Sequence, residues 1–325
     1  MTIQARYRDV PHGLMFHHFH GGNIPISEGS LSAGQFRDIL VYIGLERILR
    51  ADEWLKGAKE GTLPDDAVCV TFDDGLYSQI EIALPVLREL NLTAFWFPHT
   101  IALSGTCDQL ELYRYIRNYC FEDISEFYCL FERLAREKWQ QAIESGLARF
   151  SHEEYFKECS FFSVADKRFR YLRDEVLGPI HYAMIMEQLR DMVGVLPEKV
   201  AAELFIRRKD WQALIQDQNV IGMHSHTHPT RLAELPLREQ EWEYACNNSV
   251  LMDKLQYRPE SVAHPCGSFT ETTLGILRSM GIKIGFSANM CRPVGRDLEY
   301  PRQNHANILM EMTCGVAAEK SLHTL

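Results

Sequence analysis

Features typical of exported, membrane-spanning and redox proteins are missing from this sequence. Its nine cysteines include no Cys-x-x-Cys pair, so neither a zinc ribbon nor a thioredoxin-like redox site is indicated. Scattered cysteines of this kind favour a reducing compartment over a disulfide framework. No run of about 18 apolar residues occurs, so we expect no membrane span. The N-terminal stretch also lacks the continuous apolar core of a secretory signal, and we therefore expect a cytoplasmic protein.

Positive charge is also in short supply. The 34 lysines and arginines are outnumbered by 44 aspartates and glutamates, which gives a net charge of −10. Such a chain is poorly suited to hold a polyphosphate by general electrostatic attraction, so a nucleic-acid partner is not expected. Hydrophobic residues make up 46% of the 325 residues, which is enough for a sizeable core in one large domain or two smaller ones.

Apolar strand-like segments alternate with helix-like segments along most of the chain. The strand-like segments cover residues 14–19, 67–72, 93–97, 219–225, 261–265 and 282–288, and the helix-like ones cover 77–90, 236–256 and 271–280. This alternation predicts a mostly parallel α/β sheet or barrel. In such folds functional side chains gather at the carboxyl ends of the strands.

Residues 102–205 interrupt this alternation. The stretch is rich in aromatic and charged residues, and it predicts several helices inserted between two strands of a single domain that spans residues 1–325. The insertion is either a structural cap or a lid that shapes substrate specificity, because long insertions in such folds often carry function.

Two adjacent carboxylates end one of the predicted strands, in the segment TFDDG. The charges of Asp73 and Asp74 repel each other, and each carboxylate loses hydration if it is partly buried. A compensating group is therefore needed, and a metal cation is one candidate.

Three histidines stand within five residues at the end of another predicted strand: His224, His226 and His228. If a turn begins after Ser225, His224 and His228 converge at the spacing of paired metal ligands. Imidazole is the usual protein ligand for zinc and similar divalent ions. Two histidines and one carboxylate form a site with open coordination positions, which leaves the second carboxylate to accept a proton from water.

Together, TFDDG and HSHTHP resemble the first two motifs of the polysaccharide deacetylase family, also called carbohydrate esterase family four or the NodB homology domain. The resemblance implies an α/β fold, a distorted parallel (β/α) barrel of about seven strands with the helical insertion. It implies that Asp73 is the general base and that Asp74, His224 and His228 bind one divalent cation. Zinc is favoured, with iron, cobalt or nickel as alternatives.

The third family motif is altered in this sequence. At residues 263–267 the chain has AHPCG, with Ala263 in place of the family's arginine and Cys266 in place of its aromatic residue. The backbone N–H of Cys266 remains a candidate oxyanion donor. Arg302 is a candidate to replace the missing arginine from another strand.

Further site residues are histidines. The family's general acid is a late histidine, and His305 is the candidate here. The segment MFHHFHGG resembles the strand end with which many family members begin, so His18 and His20 are predicted to contact substrate. His264, within the altered third motif, is a further candidate for substrate binding.

The function implied is that of a metal-dependent hydrolase that removes an acetyl, or alternatively a formyl, group from an amino sugar. Because no export signal is found, we expect a nucleotide- or lipid-linked sugar of envelope polysaccharide or glycolipid synthesis, with peripheral membrane contact if the substrate is lipid-linked. One alternative is a hydrolase of a small non-sugar amide. Another is a catalytically silent protein that binds a saccharide or a partner through the same cleft.

Overall fold

The computed structural model of the protein describes residues 10–156, 162–291 and 297–322, with side chains up to residue 313. The chain forms two compact units. The first consists of residues 1–106 and 201–325, and the second consists of residues 107–200.

Seven parallel strands organise the described part of the first unit. They are β1 (His12–Phe16), β2 (Val68–Asp73), β3 (Ala94–Phe97), β4 (Val220–Ile221), β5 (Ser261–Ala263), β6 (Ile284–Phe286) and β7 (Arg302–Asn304). Five of them form one sheet in the order β4-β3-β2-β1-β7, and β5 and β6 form a second sheet.

The two sheets are joined at both edges by single parallel bridges. Met223, just after β4, bridges to Val262 in β5, and Phe286 in β6 bridges to Tyr300, just before β7. The predicted fold class, an α/β fold of the distorted parallel barrel type, is confirmed. The distortion lies at these two seams, where isolated bridges take the place of a continuous ladder and the barrel is not closed by strand pairing.

Helices of the first unit connect and cover the strands. The helices lie at Ala33–Ile43, Ala51–Glu60, Leu84–Glu89, Arg208–Gln216, Leu237–Leu255, Glu271–Ser279 and His305–Leu322, and Pro197–Leu204 spans the boundary between the two units. The helix predicted over 77–90 is interrupted, because Gln79–Ala83 forms a π-helical turn before the α-helix. Pro85 explains the interruption, since proline has no N–H to donate within a helix.

The core of the first unit is aromatic, and the strands are buried on both faces. Phe72 packs against Trp96 with ring centroids 4.5 Å apart, and Phe16 meets Phe36 edge-on at 4.8 Å. Strands covered on both faces read as continuous apolar runs, which is why residues 67–72 and 93–97 show no alternation.

The second unit is helical in its described residues. Its helices lie at Gln109–Tyr119, Ile124–Leu147, Val164–Tyr171 and Gly178–Val193, with a π-helical turn at Leu172–Leu177. Phe131 and Phe169 meet in its core at 4.9 Å. The function of the predicted insertion, as cap or lid, stays a prediction. Among the described helices, none is both long and apolar enough to cross a membrane.

Candidate metal and catalytic site

The two carboxylates lie where β2 ends and the chain turns sharply. Asp73 is the last residue of the strand, and both Asp74 and Gly75 have a positive φ, at 71° and 73°. Both aspartates are buried, at 2% and 5% exposure. Two buried carboxylates side by side require partners of opposite charge, and the nearest partner of each carboxylate is a different residue.

Asp74 faces the predicted histidine pair. Its Oδ1 atom lies 3.6 Å from Nε2 of His224 and 3.6 Å from Nε2 of His228. The donor atoms of these three residues all lie within 4.8 Å of one another. The Nδ1 atom of His224 lies 2.8 Å from the backbone oxygen of Ala263. A donated Nδ1–H fixes the tautomer whose Nε2 lone pair points toward Asp74, which is the form that binds a metal.

The electrostatics of this cluster fit a divalent cation. Burial alone would raise the pKa of Asp74, but His224 and His228 outweigh that effect and hold the pKa well below its ordinary value. Burial lowers the pKa of His224, yet the carboxylates of Asp73 and Asp74 raise it overall. The carboxylates thus draw positive charge into the cluster, and two imidazole nitrogens with one carboxylate oxygen suit zinc and related ions. The identity of the metal stays open.

Asp73 is paired with a buried arginine. Arg302, 1% exposed, donates from Nη1 to Oδ1 of Asp73 at 2.6 Å and from Nε to the backbone oxygen of Ser287 at 2.7 Å. Burial would raise the pKa of Asp73, but Arg302 first, with His224 and His17, holds it below its ordinary value. Asp73 is therefore an ionised carboxylate at neutral pH.

His17 is a site residue that the sequence reasoning did not select. Its Nε2 lies 3.6 Å from Oδ2 of Asp73, and its side chain is 28% exposed. Burial lowers the pKa of His17 to about 4, against the attraction of Asp74 and Asp73. The resemblance at this strand end pointed to His18 and His20, but β1 ends at Phe16, so all three histidines lie beyond the strand.

Three other predicted site residues are placed as follows. His20 is half-buried with Nδ1 at 2.8 Å from the hydroxyl of Ser30, and His18 is also half-buried. Cys266 has an exposed side chain and a φ of 50°, so its role as oxyanion donor stays a prediction.

His264 and His305 are both turned into the protein. His264 is fully buried, with Nε2 at 2.8 Å from the backbone oxygen of Leu298 and its ring stacked on Phe269. Nδ1 of His305 lies 3.4 Å from the oxygen of Met15, and its Nε2 lies 3.0 Å from that of Gly29. The His264 side chain has no exposed surface, and its contact with substrate stays a prediction. Burial lowers the pKa of His305, and the neutral ring has a single N–H, so it donates to at most one of these two carbonyl oxygens.

The loop that carries the histidines has partners that the sequence did not reveal. His226 turns away from Asp74, with Nδ1 at 2.9 Å from the hydroxyl of Thr100, and Ser225 accepts from the N–H of His228 at 3.2 Å. Glu243 and Asn247, on the helix Leu237–Leu255, bond directly to the loop. The sequence pattern of this helix indicated only its apolar face, and it gave no reason to select either of these polar residues.

Comparison with known proteins bears on this arrangement. Residues 195–285 match the model of the polysaccharide deacetylase family, a span that holds the histidine loop and the altered third motif. This match covers less than a third of the chain and agrees with the resemblance read from the sequence. The polysaccharide deacetylase family consists of metal-dependent hydrolases that act on amide bonds. No curated protein matches the sequence.

Several solved structures share the fold. The Streptococcus pyogenes deacetylase PplD in complex with acetate is 15% identical with a TM-score of 0.51, covering 93% of this chain and 97% of its own. IcaB from Ammonifex degensii is 16% identical with a TM-score of 0.50, covering 90% and 87%. A de-N-acetylase from Aggregatibacter actinomycetemcomitans is 11% identical with a TM-score of 0.53, covering 90% and 93%. At such identities the likeness establishes the fold alone.

Proposed function

We propose that the protein is a metal-dependent N-deacylase that removes an acetyl or formyl group from an amino sugar. The observation that carries the proposal is the division of the two carboxylates: Asp74 faces two histidine nitrogens at 3.6 Å, and Asp73 is held by Arg302 at 2.6 Å. One carboxylate thus has the surroundings of a metal ligand and its neighbour those of an ionised base.

Each group has a separate task in this reaction. A divalent cation held by Asp74, His224 and His228 would supply Lewis-acid polarisation of the acyl oxygen and of water. Asp73 accepts the proton of the attacking water, and Arg302 keeps it ionised and oriented. We assign His17, rather than His305, to carry that proton to the leaving amine. Its Nε2 lies 3.6 Å from Asp73, whereas the ring nitrogens of His305 face backbone carbonyls.

The metal content of the purified protein tests the proposal. We expect about one divalent ion per chain in the wild type and loss of the ion in Asp74→Ala and His224→Ala. His226→Ala is the matched control, because this histidine lies in the same loop but bonds to Thr100. Asp73→Asn should keep the ion and lose turnover. A wild type that holds no metal after reconstitution refutes the hydrolase, and a metal-loaded wild type that binds N-acetylated sugars without turnover favours the silent binding protein.

We further propose that the sugar carries a phosphate group, as a nucleotide- or lipid-linked substrate does. Three consecutive cations, Arg207, Arg208 and Lys209, are exposed in a chain of net charge −10. They adjoin the site, because the N–H of Ile206 donates to the backbone oxygen of Gly75 at 2.9 Å, one residue from Asp74. The Arg207 guanidinium stacks over the Tyr77 ring at 4.8 Å, and arginine on a rigid support is well suited to bind phosphate.

Kinetics on a panel of substrates test this finer proposal. The panel contains a UDP-linked N-acetylated amino sugar, an isoprenoid-diphosphate-linked one, a neutral N-acetylated oligosaccharide and a small non-sugar amide. We expect Arg207→Ala to raise KM for the phosphorylated substrates alone, with Arg278→Ala as the control for an exposed arginine on another helix. Equal KM for neutral and phosphorylated sugars refutes the phosphate preference, and turnover of the small amide alone favours that alternative.

A further inference from the structure

We infer that Glu243 and Asn247 are positioning residues for the proposed metal site, and that they set the geometry of the histidine loop from outside it. The inference rests on the proposed metal-binding role of His224 and His228. Glu243 and Asn247 stand four residues apart on the helix Leu237–Leu255, so they share one helical face, and both are buried.

Glu243 binds the middle of the loop. Its Oε2 atom accepts from the backbone N–H groups of His226 and Thr227, both at 2.8 Å. Its Oε1 atom accepts from the hydroxyl of Thr227. The carboxylate, 4% exposed, thereby satisfies three donors between the two ligand histidines, and hydrogen bonds to an ionised acceptor are among the stronger ones.

Asn247 binds the first half of the loop and ties it to the end of β3. Its Oδ1 atom accepts from the backbone N–H of His224 at 3.2 Å. Its Nδ2 atom donates to the backbone oxygen of Ser225 and lies 3.2 Å from both the backbone oxygen of Pro98 and the hydroxyl of Thr100. A fully buried amide that meets four groups fixes the position of His224 relative to the neighbouring strand end.

The loop requires such support because its backbone is strained. Ser225 and His228 adopt φ values of 60° and 57°, in the left-handed region that non-glycine residues occupy at a cost of about 1 kcal/mol or more each. That conformation brings the two Nε2 atoms to the same oxygen of Asp74. Without the two helix side chains, the loop is expected to relax and the histidine nitrogens to lose their common focus.

Metal affinity of the full-length protein is the readout. Loss of a residue that orients metal ligands typically weakens binding about 10- to 100-fold. We expect that loss for Glu243→Ala and for Asn247→Ala, measured by competition titration of zinc into chelator-treated protein. The d–d spectrum of bound cobalt should also shift, which a general loss of stability does not produce. Glu241→Ala and Asn248→Ala are matched controls on the same helix and should bind as the wild type does.

A more conservative variant tests the inference if the alanine variants of Glu243 and Asn247 do not fold. Glu243→Gln keeps the size and one acceptor oxygen, and it should bind zinc about tenfold more weakly, at the lower end of that range. Thermal unfolding in chelator checks that each variant is folded. Wild-type zinc affinity and an unchanged cobalt spectrum in folded Glu243→Gln or Asn247→Ala overturn the inference and leave the proposed function standing. A wild type that binds no metal overturns both.

Discussion

Replacement of Arg302 by methionine tests how the buried base is stabilised. Methionine keeps part of the arginine stem's packing but removes three donations: to Asp73 at 2.6 Å, to Ser287 at 2.7 Å and to Thr71 at 3.3 Å. The carboxylate of Asp73 is then left buried without its cation. Removal of one partner from a buried ion pair costs about 3–5 kcal/mol, and we expect Arg302→Met to lower the free energy of unfolding by that amount.

The measurement is denaturant unfolding in the presence of a chelator, so that metal binding does not contribute to stability. Arg88→Met is the matched control, because Arg88 pairs with Asp217 at a similar distance, 2.7 Å, but the two side chains are 56% and 47% exposed. An exposed pair of this kind contributes about 0–1 kcal/mol. Both pairs join an arginine to an aspartate, so the difference between the two losses of stability reports the effect of burial.

A double-mutant cycle completes the test. Asp73→Asn removes the charge that Arg302 compensates. The double variant should therefore lose less free energy of unfolding than the two single variants lose together, by about 1–3 kcal/mol. Strictly additive losses, or a loss below about 1 kcal/mol for Arg302→Met alone, would show that Arg302 does not stabilise the ionised Asp73.

Three further predictions concern the scaffold around the site. A Cβ on Gly13 would lie 3.0 Å from Thr71 Cγ2 and 3.1 Å from Arg302 Cγ, so Gly13→Ala should cost about 1–3 kcal/mol in unfolding and lower kcat by displacing Arg302; unchanged values in both would contradict this. A Cβ on Gly222 would lie 2.2 Å from the Phe97 ring, so Gly222→Ala should lower the free energy of unfolding by about 3 kcal/mol. The control is Gly275→Ala, where a Cβ would meet nothing within 4 Å and should raise the free energy of unfolding by about 0.5–1 kcal/mol. Equal melting temperatures of the two variants would refute the packing argument. Oδ1 of Asn219 accepts from the Ala94 N–H and from Trp96 Nε1, so Asn219→Leu should cost about 1–3 kcal/mol by chemical denaturation, and a neutral effect would contradict this.

Sequence reasoning succeeded where the signal was local. Short apolar runs gave strands β1 to β6 near their observed positions, and the helix predicted over 236–256 is observed at Leu237–Leu255. The spacing of the second motif led to the expectation that His224 and His228 converge, and the structure places both at the same oxygen of Asp74. Their role as metal ligands stays a prediction.

Groups that act across the fold were harder to predict. His17 was passed over because the resemblance at the end of β1 pointed to His18 and His20, and the chain has already left the strand at these residues. Glu243 and Asn247 serve a loop about twenty residues earlier in the chain, and their bonds go to backbone groups that leave no trace in the sequence. Tertiary hydrogen bonds of this kind become visible only when the helix is packed against the loop.

The altered third motif shows how topology can replace a missing side chain. The motif follows β5, which belongs to the two-stranded sheet. In the five-stranded sheet, β2 and β7 lie on either side of β1, and both pair with it. In register, Gly13 of β1 stands beside Arg302, and a glycine at this position leaves space for the arginine stem to cross the strand toward Thr71 and Asp73. The absence of an arginine at Ala263 therefore does not leave Asp73 uncompensated, because Arg302 and Gly13 act together. A sequence comparison confined to the motif would score the site as incomplete, whereas the geometry predicts that Gly13 and Arg302 are constrained as a pair.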